Sequence, residues 1–124
     1  MYKDEYTDTV IEHFMHPRNM GLIYNPNGEG FNGDPNCGDY LELYIRVENN
    51  MIEDIGFLVF GCVAAIATGS ITMELVKGKT LEEALRINED DIIQALGGLP
   101  ENKKHCSNLG IGALRSAIDD YKIK

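Results

Sequence analysis

Three cysteines carry most of the chemistry open to this sequence of 124 residues. Cys37 lies in the turn-forming run Gly33-Asp34-Pro35-Asn36-Cys37-Gly38-Asp39. Cys62 follows Phe60-Gly61, where an apolar strand pattern gives way to a helical one. Cys106 stands in Lys103-Lys104-His105-Cys106-Ser107. Each thiol therefore sits at the end of an element, where reactivity is easiest to obtain. A helix N-terminus offers unpaired N–H groups and the positive end of a dipole, and neighbouring cations lower a thiol's pKa. The two lysines thus predict a readily ionised Cys106. A free cysteine is also an ordinary small apolar core residue. That reading suits Cys62, with its apolar flanks, better than the other two.

An odd number of cysteines cannot pair completely, which points to a reducing compartment and to thiols left free for metal or nucleophilic chemistry. No CxxC pair is present, so a metal site would have to gather its ligands from three separate elements. Structural zinc takes four Cys or His ligands, and a [2Fe–2S] cluster takes four that are usually all thiolates. The fourth donor here would be Asp39 or His105. Three thiolates completed by an oxygen or an imidazole would hold iron and sulfur loosely. On exposed loops such a site could exchange ligands with a visiting thiol, which suits delivery better than electron transfer. A Cys–His hydrolase would need an imidazole poised on a thiol and an oxyanion site. His105 and Cys106, adjacent on a helix, should project in different directions. His13 and His16, three apart on the first helix, have no such company and read as ordinary helix residues.

The elements that must position these residues follow from periodicity. Tyr6, Val10 and Phe14 predict a helix from about Asp4 to His16, stopped by Pro17. Residues 21 to 39 are rich in Gly, Asn, Pro and Asp and read as loop, with room for one short edge strand over Leu22 to Tyr24. Leu41, Leu43, Ile45 and Val47 alternate with polar residues, the mark of a strand with one buried face. A tight turn at Glu48-Asn49-Asn50 returns the chain along Ile52 to Phe60. Val63, Ala67, Ile71 and Leu75 then predict a helix ending near Gly78. Thr80 with Glu83 forms a capping box for a short helix, and Asn88 caps another that ends at Gly97-Gly98. A last helix is expected from about Lys103 to Tyr121, its early half weakened by Gly110 and Gly112, which each cost about 1 kcal/mol against Ala. Segregated strands and helices predict an α+β fold: an N-terminal helix, a small antiparallel sheet of about three strands, and several helices on one face.

Composition narrows the classes further. Hydrophobic residues make up 44% and charged residues 25%, enough for a core in one domain covering residues 1–124. Eleven Lys and Arg against 20 Asp and Glu give a formal charge of −9, which disfavours nucleic acid and anionic membranes. The longest apolar stretch, Phe57 to Ala67, falls well short of the roughly 20 residues that span a bilayer. The N-terminus is charged at once, unlike a signal peptide, so a cytoplasmic protein is expected.

Several motifs, taken in order, resemble one family. Tyr6-x-Asp8-x-Val10-x-x-His13-Phe14-x-x-Pro17-Arg18-Asn19-x-Gly21 is followed by Gly33-Asp34-Pro35-x-Cys37-Gly38-Asp39. Phe60-Gly61-Cys62 and Leu99-Pro100-x-x-Lys103-x-His105-Cys106-Ser107-x-Leu109 complete the series. This resembles the U-type iron–sulfur cluster assembly scaffolds, the family of the Isc scaffold and of the N-terminal domain of the Nif scaffold. Adjacent His105-Cys106 and the short stretch after Cys62 favour the Isc/Nif branch over the Suf branch.

The resemblance implies a non-enzymatic carrier. Such a scaffold accepts persulfide sulfur from a cysteine desulfurase, binds iron, assembles a [2Fe–2S] cluster and passes it to apo-proteins. Cys37, Cys62 and Cys106 become cluster ligands, and Asp39 and His105 the variable fourth ligand and the tuners of lability. Cys106 becomes the persulfide acceptor. Zinc or iron can occupy the same site, and frataxin-like or ferredoxin partners and a homo-oligomer are further implications. The sequence departs from the family in two places. Val63-Ala64 replaces the usual Gly-Ser after the second cysteine. Leu99-Pro100-Glu101-Asn102-Lys103 replaces a chaperone-recognition stretch with Pro-Val at its centre, which argues against dependence on an Hsp70-type chaperone. The alternative is a zinc-binding sulfur acceptor that takes persulfide sulfur without building a cluster.

Overall fold

A computed structural model describes residues 5–34 and 38–124. Helix α1 spans Asp8–Met15, and three strands follow: β1 Gly28–Asp34, β2 Asp39–Glu48 and β3 Met51–Phe60. The rest is helical: α2 Val63–Val76, α3 Leu81–Leu85, α4 Glu89–Ala95, a 3₁₀ run Glu101–Cys106 and α5 Ser107–Lys122. The three strands form one antiparallel sheet in the order β1-β2-β3. The α+β architecture expected from the sequence is the one observed.

Strand β2 explains how the sheet buries one face. Asp39, Leu41, Leu43, Ile45 and Val47 all point inward, while Tyr40, Glu42, Tyr44 and Arg46 lie half-buried on the opposite side. The inward row thus begins with a carboxylate and continues with four apolar residues, because side chains alternate at a period of two. The β2–β3 connection is tight, with Asn49 and Asn50 at φ of 52° and 65°. Both lie in the left-handed region that a two-residue hairpin turn of matching twist needs.

Two corrections concern the strands and helix starts. Leu22 to Tyr24 forms no strand, and Leu22 and Tyr24 are exposed. The third strand is β1, inside the glycine-rich stretch that reads as loop. Tertiary packing explains this: a Cβ on Gly30 would lie 2.3 Å from Ala117 N and 2.4 Å from Ala113 O. Only a strand without a side chain there lets α5 lie directly on the sheet, and that contact overrides poor strand propensity. The expected start of the first helix at Asp4 lies outside the described residues. Helix α1 begins at Asp8, where the Thr7 hydroxyl accepts the Val10 N–H.

Helix α2 is buried almost all round and separates two apolar clusters. On its sheet side, Ala65, Met73 and Val76 join Leu41, Leu43 and Ile45. On the other, Val63, Ala64, Ala67 and Ile71 pack with Val10 of α1 and Ile92 of α4. Each fully buried Leu, Ile or Val contributes about 1.5–3 kcal/mol, so α2 is held from both sides. The capping boxes at Thr80–Glu83 and Asn88–Asp91 are both formed. The last helix is interrupted where the sequence suggested continuity: a 3₁₀ run ends at Cys106, and only then does α5 begin.

Candidate metal and sulfur site

The site lies where β2 begins and where two helices start. Cys62 is the N-cap of α2 and Cys106 the N-cap of α5, neither using its side chain as a cap. Cys62 therefore faces the positive end of α2, where its sulfur accepts the Ala65 N–H, whereas Cys106 lies within a helical run that passes from 3₁₀ to α5. Asp39, first in the inward row of β2, is only 4% exposed. Its Oδ1 accepts the Cys62 backbone N–H at 3.2 Å, which orients the carboxylate. Its Oδ2 lies 3.6 Å from Cys62 Sγ and 3.4 Å from Cys106 Sγ. One donor atom from each of these residues falls within 4.8 Å of the others, close enough to share one metal ion.

Gly61 makes the carboxylate's position available. A Cβ there would sit 2.3 Å from Asp39 Oδ1 and 2.8 Å from Ala65 Cβ. The glycine before Cys62 is thus a requirement of the Asp39–Cys62 contact.

The two thiols are unequal. Cys62 is half-buried, and its pKa is lowered, first by the hydrogen bond from the Cys106 thiol and then by the Ala65 backbone N–H. Cys106, 2% exposed, is pushed up, by that same shared proton, by burial and by the Asp39 carboxylate. The pair thus holds one proton tightly on Cys106 and releases the other early from Cys62. This reverses the expectation that neighbouring lysines would ionise Cys106 first. Burial and a facing carboxylate outweigh cations whose charge is directed elsewhere. Lys103 is itself raised chiefly by the Cys62 thiolate, so its charge favours that sulfur. Tyr6, buried beside the site, is raised by burial and then by Cys62. No spacing in the sequence marked Tyr6 as a neighbour of the thiols.

His105 differs from expectation as well. Its Nε2 lies 3.6 Å from Cys106 Sγ, although adjacent residues on a helix should diverge. The pair sits at the junction of the 3₁₀ run and α5, where α-helical spacing does not apply. A hydrolase gains nothing from this, because Cys106 keeps its proton and faces a carboxylate. Asp39, Cys62, Cys106 and His105 are thus brought together, and Cys37 lies outside the described residues. His13 is part of the α1–α2 interface instead: its Nδ1 is 2.7 Å from Ser70 Oγ. Burial lowers its pKa, as does the Arg18 guanidinium. His16 is the C-cap of α1.

Comparison with known proteins gives a consistent set of relatives. Residues 5–124 match the family described as the NifU-like N terminal domain. A protein of Archaeoglobus fulgidus named iron-sulfur cluster assembly scaffold protein IscU 1 is 56% identical over 116 residues, which cover 94% of this chain and 76% of that one. The IscU scaffold protein of Aquifex aeolicus is 48% identical over 122 residues, covering 97% and 78%. The crystal structure of the N-terminal part of a NifU-like protein from Brucella abortus superposes with a TM-score of 0.78 over 99% of this chain and 98% of that one. At 19% identity it speaks for the fold alone.

Proposed function

Because the chain belongs to the NifU-like N-terminal domain family, we propose that it is a scaffold on which an iron–sulfur cluster, of the [2Fe–2S] type, is assembled and then handed to apo-proteins. The observation that carries this reading is the convergence of Asp39, Cys62 and Cys106 donors within 4.8 Å at the heads of two helices. In this reading Cys37, Cys62 and Cys106 supply thiolates, and Asp39 or His105 completes the set for bound iron or zinc. The whole chain acts as one scaffold domain without turnover chemistry of its own.

Sulfur arrives as the outer atom of a persulfide on a cysteine desulfurase. The proton that Cys106 shares with Cys62 passes to the Cys62 sulfur as the donor persulfide arrives. The resulting thiolate attacks the outer sulfur, the donor's S–S bond breaks, and the donor cysteine leaves as thiolate. Iron binds at the same donors, and two electrons from a ferredoxin-like partner reduce each persulfide outer sulfur to sulfide, which frees the Cys106 thiolate. Recipient apo-proteins, frataxin-like or ferredoxin partners and a second copy of the chain are the companions of this role, in the cytoplasm. Among the described residues no helix is long and apolar enough to cross a membrane.

The test is anaerobic incubation of the metal-free chain with iron, cysteine and a cysteine desulfurase. A [2Fe–2S] absorption spectrum with equal iron and acid-labile sulfide is the expected result. A colourless product that retains zinc and carries only persulfide would replace this reading with that of a zinc-binding sulfur acceptor.

A further inference from the structure

One hydroxyl joins the two cysteine-bearing helices. Thr68 on α2 is fully buried. Its Oγ1 lies 3.2 Å from the carbonyl of Ala65 in its own helix and 3.1 Å from the carbonyl of Cys106. The single hydroxyl proton is therefore shared between an internal acceptor and one on the neighbouring chain segment. A helical threonine satisfies its hydroxyl on its own helix, as Thr72 does with the Thr68 carbonyl at 2.6 Å. The reach of Thr68 to Cys106 thus adds a contact that α2 does not need for itself. It falls on the backbone of a site cysteine, at the junction where the 3₁₀ run becomes α5.

We propose that Thr68 is a positioning residue for the thiol pair: its bond to the Cys106 carbonyl fixes the junction so that Cys106 Sγ stays beside Asp39 and Cys62. The part of this that concerns metal rests on the scaffold reading above. Metal ligands are commonly oriented by outer partners, whose loss weakens binding by about 10–100-fold. Thr68 performs that task through the main chain, since the sulfur's own neighbours are other donors.

The experiment compares Thr68→Val, which keeps the shape and removes the O–H, with Thr68→Ser, which restores it. Zinc is the probe, measured by competition with a chromophoric chelator, and cobalt(II) reports the thiolate-to-metal absorption band. Thr68→Val should bind zinc about tenfold more weakly and show a weakened cobalt band, while Thr68→Ser stays within about twofold of the parent. In the metal-free protein, iodoacetamide should modify the buried Cys106 about fivefold faster in Thr68→Val, and at the parental rate in Thr68→Ser. Parental zinc affinity and alkylation rate in Thr68→Val would overturn the proposal. So would equal weakening in Thr68→Ser, which would assign the effect to packing. If Thr68→Val does not fold, Thr68→Ala takes its place under the same criteria. A parent that binds neither zinc nor cobalt would sink the scaffold reading, and the alkylation comparison would still decide the role of Thr68.

Discussion

Gly61→Ala should reach the site through a single added methyl group. The new Cβ would sit 2.3 Å from Asp39 Oδ1, whereas ordinary contact begins near 3.4 Å. The carboxylate must retreat by about 1 Å, which breaks its 3.2 Å bond from the Cys62 N–H. Loss of a hydrogen bond to a charged group costs about 1.5–3 kcal/mol. Replacing glycine returns at most about 1 kcal/mol by restricting the unfolded chain. The variant should therefore be destabilised by about 0.5–3 kcal/mol net, read as a lower urea midpoint of the metal-free protein. The cause is isolated by repeating the substitution in an Asp39→Ala background. With the carboxylate gone only the Ala65 contact remains, so the two changes should couple by about 1 kcal/mol or more. Parental stability in Gly61→Ala, or simple additivity in the cycle, would refute the claim that this glycine exists to admit Asp39.

Four further outcomes follow from the geometry. Alkylation of Cys62 in the metal-free protein should rise with pH through a midpoint at about 6, because the thiolate is the reactive form and a free thiol reaches that point only near about 8.5; a midpoint at the free value would remove the shared-proton account. Cys106 should react far more slowly than Cys62 across the same range, since its proton is held. Asp39→Ala should lengthen the life of the reconstituted cluster, followed by the decay of its visible absorption, because it removes a hard oxygen donor that competes for iron; a shorter life would count against that role. Gly30→Ala should destabilise the fold by about 1–3 kcal/mol in a thermal or urea melt by forcing α5 off β1, and an unchanged melt would contradict the packing described for that strand.

Much of this was legible in the sequence. The alternation from Leu41 to Val47 gave β2 and its buried face, and the Thr80 and Asn88 caps formed as expected. Strand β1 was not legible. Its glycines are selected by the approach of α5, and pattern reading treats glycine as a loop signal. The thiols' convergence could be argued only from their placement at element ends and from family resemblance. Their ionisation could not, because charge seen in sequence at Lys103-Lys104-His105 says nothing about which sulfur it reaches. The place of Asp39 as the first inward residue of β2 follows from the same period that positions Leu41 and Leu43.

The partition of the interior by α2 has a consequence for how the molecule responds to damage. The sulfur at the head of that helix is supported from two directions at once. Trimming Val10 or Ile92 on one flank, or Leu43 on the other, would tilt the same rod and so disturb the same donor atom. Occupancy by a metal would in turn brace both flanks together, making a small inorganic guest a common rivet for the two sides of the helix.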